Sequence, residues 1–190
     1  MFLLLALAAP SFAEPDHEVH EELRALFVAA QKAVNEDHLA DLHPLLTDDF
    51  QATTITQEVI TGRDGVDKYF ATWFGPDKYM KSMKFELEAD ELTDLSPDKS
   101  WGLVRGGGHE KYTANEGYDF DFTSRWTAVV ERGDDGKWRI RAIHMGTNQL
   151  DNPVLTRVKS TLFRYGAIGA VVTGLVGGLL GFVAGRMGRK

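Results

Sequence analysis

Residues 101–131 read WGLVRGGGHEKYTANEGYDFDFTSRWTAVVE, two long runs broken at Asn115-Glu116-Gly117. Residues of contrasting character alternate along both runs. That period of two predicts strands, and the Asn/Gly break between them predicts a hairpin. Folding the chain about Asn115 sets His109 opposite Asp121 and Lys111 opposite Asp119. Opposed opposite charges contribute about 0.2–1 kcal/mol each, so the two pairs favour this register. The same register sets Arg105 against Arg125, and like charges facing each other on a sheet are unfavourable. Two guanidinium groups so placed suit an anion lying between them, because each grips a carboxylate through two parallel hydrogen bonds. The alternative reading sends both arginines to solvent or to an internal acid such as Asp49, Glu86 or Glu88.

The other phase of the hairpin carries Val104, Phe120, Phe122 and Trp126, with Gly106 and Gly108 leaving room for bulky neighbours. If helices cover the arginine face, this apolar face needs a second cover, which a second copy of the sheet supplies. A homodimer is expected on that ground.

Further alternating runs flank the hairpin at Met83–Ala89 and Trp138–Thr147, with turn chemistry at Ser96-Pro97-Asp98-Lys99 and Asp134-Asp135-Gly136. Together they predict a four-stranded antiparallel meander. Upstream, Val19, Leu23, Leu26, Phe27, Ala30 and Val34 recur at helical spacing within Asp16–Val34, and shorter helices fit His38–Leu46 and Gly65–Phe74. Phe50–Ile60, rich in Thr, Ile and Val, reads as a strand or small hairpin. Helices followed by a long twisted sheet make an α+β fold with the helices across one face.

The chain has 190 residues and no cysteine, enough for one globular domain held by packing, without disulfides, thiolate metal sites or a cysteine nucleophile. Residues 1–13 are apolar with Ser11 and Ala13 at the −3 and −1 positions of a cleavage site, and read as a signal peptide. Residues 14–150 form the domain, 151–164 a connector punctuated by Asn152-Pro153, and 186–190 a basic tail. Between connector and tail, residues 165–185 carry no charge, and at 1.5 Å per residue they reach about 30 Å, the thickness of a bilayer core. A single-pass protein of the cytoplasmic (inner) membrane is expected, its domain facing the periplasm or exterior. All 28 acidic residues but only 18 of the 21 basic ones precede this segment; the last three are Arg186, Arg189 and Lys190. So acidic a domain is a poor partner for nucleic acid. Gly166, Ala170, Gly174 and Gly178 recur every four residues, and Gly177, Gly181 and Gly185 form a second row. Such spacing suits close packing on a second membrane helix, from another copy or another membrane protein.

His144 ends the last strand in phase with Trp138, Ile140 and Ala142. A two-residue Asp135-Gly136 loop makes it face Thr127 on the arginine side; a bulge reverses it. His17, His20, His38 and His43 show no ligand spacing, so no metal and no cofactor is expected. There is no nucleophile elbow, phosphate loop or HExxH.

The order helix, helix, strand, Thr61-Gly62-Arg63-Asp64-Gly65, helix, and a meander ending in Arg125-Trp126-Thr127, Asp135 to Ile140 and His144 resembles the nuclear transport factor 2-like (SnoaL-like) superfamily over roughly Glu18–Asn148. Within it the pattern is nearest to the association domain of calcium/calmodulin-dependent protein kinase II and its bacterial relatives. Arg105 and Arg125 match that domain's two pocket arginines, and Trp138 with His144 match its closing motif, although Gly146 stands where a serine is expected. The resemblance implies a conical α+β barrel with an open pocket between helices and sheet, dimerising through the sheet's outer face. It implies no activity, since the superfamily holds isomerases, cyclases, dehydratases and non-catalytic modules. The first expectation is a non-enzymatic, membrane-anchored dimer that binds a small anionic or carboxylate ligand, or a partner's acidic side chain. Arg105, Arg125, His109, His144 and Trp138 would line that site. The alternatives are an isomerase, cyclase or dehydratase using His144, Asp49 or Asp121 as acid or base, and a structural subunit of a membrane complex. The isomerase pattern wants a tyrosine on the first helix, where this chain offers Phe27.

Overall fold

Helix α1 (His17–Asn35) buries the stripe formed by Leu23, Leu26, Ala30, Ala33 and Val34, as its periodicity predicts. The structure is a computed structural model describing residues 16–187, so the expected signal peptide and the last three residues of the tail lie outside it. A short helix α2 (Leu39–Leu42) and a 3₁₀ turn (His43–Leu45) lead into β1 (Leu46–Thr53), which pairs antiparallel with β2 (Val59–Thr61). The Phe50–Ile60 region is thus a small hairpin. Helix α3 (Gly62–Trp73) follows. The meander then runs through β3 (Met80–Ala89), β5 (Trp101–Ala114), β6 (Asp119–Arg132) and β7 (Trp138–Thr147), with a two-residue β4 (Asp94–Leu95) beside β5. Sheet order is β2-β1-β7-β6-β5-β3, and β1 lies parallel to β7. The α+β class and the twisted sheet are as expected from sequence.

Two features of the meander differ from expectation. The β5–β6 loop has three residues, Asn115 to Gly117: Ala114 N donates to Tyr118 O at 2.9 Å and Gly117 closes the loop at φ +83°. A three-residue loop ending in a left-handed glycine moves the centre to Glu116 and slips the register by two. Arg105 therefore faces Thr127, Arg125 faces Gly107, His109 faces Thr123 and Lys111 faces Asp121. An even slip leaves every side chain on its original face.

The faces themselves are exchanged. The helices cover the Phe120, Phe122 and Trp126 side, and Phe27 of α1 stacks on Trp126 with ring centroids 5.6 Å apart. The arginine side is the outer one. Burying the aromatic phase under helices removes about 1.5–3 kcal/mol per large side chain from exposure to water, which far outweighs any gain from covering charges. This removes the apolar face from which a homodimer was expected.

Helix α1 also binds the edge strand β3 through amides. Asn35 accepts from Phe85 N at 2.6 Å and donates to Phe85 O at 2.9 Å, while Gln31 accepts from Leu87 N at 2.7 Å. These bonds satisfy part of an otherwise open sheet edge.

Helix α4 (Pro153–Met187) is continuous, so most of the expected connector is helical. Asn152 Oδ1 accepts from Leu155 N at 3.0 Å and Pro153 takes the first helical position, which makes Asn152-Pro153 a helix start instead of a break. The helix is long and apolar enough to cross a membrane by length and composition. Its root touches β6, and the Arg157 guanidinium lies 3.6 Å from the Tyr118 ring centroid.

Candidate active site

Strand β5 alternates Gly106, Gly108, Glu110, Tyr112 and Ala114 on its inward face. Glu110 is the exception in that row. It pairs in register with Phe85 of β3 and Phe122 of β6, both packed in the core, and is 1% exposed. Tyr112 Oη donates to Glu110 Oε2 at 2.8 Å, while Oε1 is buried without a hydrogen-bond partner. Burial pushes the Glu110 carboxyl above its ordinary 4.5, and the bond from Tyr112 only partly opposes this. Ser124, buried on β6, stands near enough to lower it slightly, though its hydroxyl completes no hydrogen bond. Burial, and then the Glu110 carboxyl, push the Tyr112 phenol up in turn, so both groups favour their protonated forms.

Glu110 lines a cavity of about 140 Å³ between α1, α3 and the inward sheet face, beside Val34, Val66, Met83, Ile143 and Met145. A dry apolar cavity of about 150 Å³ holds a benzene-sized molecule. This space is of a size that accepts a single ring or a short chain. In its neutral state, Glu110 has a proton available on Oε1 for a ligand oxygen; once ionised, it can accept a proton there.

Tyr69 of α3 and Tyr112 also border a second, outer cavity of about 300 Å³, next to the start of α4. Its wall includes Trp73, Phe74, Tyr79, Met80 and Val154, the last from the first turn of α4. Tyr69 is pushed up mainly by burial, against hydrogen bonds with Thr54 and Thr56. Thr54 and Thr56 share a 2.7 Å bond, and Glu58 accepts from both Thr56 (3.0 Å) and Trp73 Nε1 (2.6 Å), which fixes that rim. Across the opening Tyr79 and Tyr118 share a 2.8 Å hydroxyl contact, and this bond pushes Tyr118 up to about 12.

None of the residues expected from sequence lines the inner cavity. Arg105 pairs with Glu91 at 2.9 Å; Arg125 grips Asp90 with both nitrogens, NH1 to Oδ1 at 2.9 Å, and holds that carboxyl below its usual range. Both arginines are on the outer face with separate internal acids, neither of them the Asp49, Glu86 or Glu88 considered from sequence. His109 does meet Asp121, at 2.7 Å, although diagonally. Asp49 pairs with Arg141 at 2.8 Å on the outside. His144 faces Thr127, as a two-residue loop would give. It does so because a three-residue loop is compensated by a bulge at Arg141, between the pairs Val130–Ile140 and Val129–Ala142. That bulge separates His144, exposed and outward, from Trp138, buried and inward with Leu23, Leu26 and Val130.

The chain matches no protein-family model and no curated protein sequence. Its three-dimensional structure does have counterparts. A ketosteroid isomerase-like protein from Erwinia carotovora atroseptica superposes with a TM-score of 0.56 at 14% identity, covering 68% of this chain and 96% of that one. The chain has a nuclear transport factor 2-like fold. Hexachlorocyclohexane dehydrochlorinase LinA-type3 from Novosphingobium barchaimii aligns at TM-score 0.57 and 14% identity, over 69% of this chain and 87% of that one. A nuclear transport factor 2-like superfamily protein from Salmonella enterica serovar Typhimurium gives 0.57 at 13%, over 68% and 91%. These nuclear transport factor 2-like neighbours share the fold of helices on a twisted sheet. Of the residues that carry the finer resemblance to the kinase association domain, Arg105, Arg125 and His144 are on the outer face of the sheet and Trp138 is buried in the core.

Proposed function

We propose that this chain is a membrane-tethered acid–base enzyme of the isomerase, cyclase or dehydratase kind, acting on a small apolar molecule of single-ring size. The observation that carries the reading is Glu110: a carboxyl 1% exposed, one oxygen bonded to Tyr112 and the other unpartnered, in the wall of an apolar cavity. Burying an acid there costs several kcal/mol in folding terms, so packing alone does not account for it. Glu110 would move the proton at carbon or at a leaving oxygen, with Tyr112 holding the carboxyl in place. The isomerase and dehydrochlorinase neighbours are consistent with this class of chemistry. The anion-binding reading loses its cavity because Arg105 and Arg125 are already paired outside it.

The tether is α4, with the domain on the exported side. Ala170, Gly174, Gly178 and Gly181 on that helix are exposed in the single chain, a free face for packing against a second membrane helix.

The test is proton abstraction beside a carbonyl. Small cyclic ketones and enones incubated with the full chain in heavy water should gain deuterium at the α-carbon, read by proton NMR. Glu110→Gln should lose about 10²–10⁴-fold in rate, the usual contribution of a positioned acid or base. Equal exchange with parent and variant would remove Glu110 from the chemistry.

A further inference from the structure

The outer cavity and the membrane helix meet at one residue. Val154, on the first turn of α4, forms part of the wall of the 300 Å³ chamber, which shares Tyr69 and Tyr112 with the wall of the cavity that holds Glu110. The helix root is fixed at that place by Arg157 over Tyr118 and by the Tyr79–Tyr118 contact. From Val154 to the uncharged segment beginning at Tyr165 is roughly eleven helical residues, or about 16 Å. Headgroups take up about 5–7 Å of that distance. Leu162 and Phe163, 68% and 80% exposed, extend the apolar surface of α4 toward the domain, and Lys159 and Arg164 lie among them. Their long side chains suit the headgroup layer. The rim itself carries Trp73, Tyr79 and Tyr118, residues with an apolar body and a polar tip, which suit a membrane–water interface.

We infer that the cone takes its ligand from the bilayer: a membrane-dissolved, uncharged molecule with one ring or a short hydrocarbon chain enters beside Val154 and reaches Glu110 through the Tyr69–Tyr112 neck. This rests on the reading of the inner cavity given above and adds the source and solubility class of the ligand. Apart from Thr56, the chamber wall is made of aliphatic, thioether and aromatic side chains, so it offers a charged or strongly hydrated molecule little to replace its water. A ligand concentrated in the membrane meets this opening at the highest local concentration, because α4 holds the opening at a short, stiff distance from the surface.

Trifluoromethyl-phenyldiazirine, a single-ring photolabel that partitions into lipid, tests this with the full chain in phosphatidylcholine vesicles, labelled sites being read by mass spectrometry. The parent should be labelled along α4 and also at Phe74, Tyr79, Met80 and Tyr112. A rigid helical insertion of roughly 20 residues of Glu-Ala-Ala-Ala-Lys repeats after Ser160 raises the opening by about 30 Å while leaving its wall intact. Labelling in the cone should then fall several-fold and labelling of the membrane segment should persist. Val154→Trp, which narrows the entrance without moving the domain, should reduce labelling at Phe74, Met80 and Tyr112 while labelling of the membrane segment persists. Equal cone labelling in parent and raised chain would mean entry from water, overturning this inference while leaving the proposed function standing. A cone unlabelled in both, with α4 labelled, would overturn the apolar-ligand reading as well. An unlabelled α4, or Tyr112 labelling unaffected by Val154→Trp, would overturn the route alone.

Discussion

Glu110 occupies a strand position whose cross-strand neighbours, Phe85 and Phe122, keep water away, and its pKa is raised because the charged form loses more by burial than Tyr112 restores. The folded chain therefore binds this proton more tightly than the unfolded one. Between the ordinary value of 4.5 and the raised folded value, folding retains a proton that unfolding releases, so this group makes stability fall as pH rises through that window. Glu110→Gln should flatten the fall, which denaturant titrations of parent and variant across that range would read. An identical slope in both would show that the carboxyl is hydrated. The acid was legible in the sequence once the phase was known: it shares its alternation with Gly106, Gly108 and Tyr112, opposite Phe120, Phe122 and Trp126. His144, Asp49 and Asp121 are ionisable groups suited by type to acid–base roles, yet their phase on the strands puts them outside.

At the scale of elements, the alternation and turn residues located β5, β6 and β7 to within about a residue, because period and loop chemistry are local properties. Register and facing are not local. The register depended on whether the β5–β6 loop was centred on Asn115 or on Glu116, and the facing depended on which phase the helices covered. Gly106 shows how firmly that choice is fixed. A Cβ there would lie 2.0 Å from Glu88 O and 2.3 Å from Trp126 Cζ2, because the indole rests directly on the strand. Gly106→Ala should destabilise the domain by about 1–3 kcal/mol or more, since neither the backbone of β3 nor a ring stacked on Phe27 can give way cheaply. Equilibrium unfolding would measure it; a neutral outcome would mean that Trp126 is free to move. Helix α4 starts inside the expected connector, since Asn-Pro reads equally as a break or as a cap followed by the first helical residue.

For the whole molecule, a buried carboxyl in a mostly apolar cavity and an apolar helix beside the neighbouring chamber make a coherent arrangement. Overall fold class survived the reversal of the faces because either covering gives helices on one side of a twisted sheet. The site did not survive it, since a pocket is defined by the covered side. The measurement that bears most directly on the central claim is a carbon-13 NMR titration of glutamate side-chain carboxyls in the full chain, with and without toluene to fill the cavity. The prediction is one resonance that titrates above the ordinary carboxylate range, moves further up when toluene fills the cavity, and is missing in Glu110→Gln. Glutamates that all titrate in the ordinary range, or a shifted resonance that survives the substitution, would contradict it.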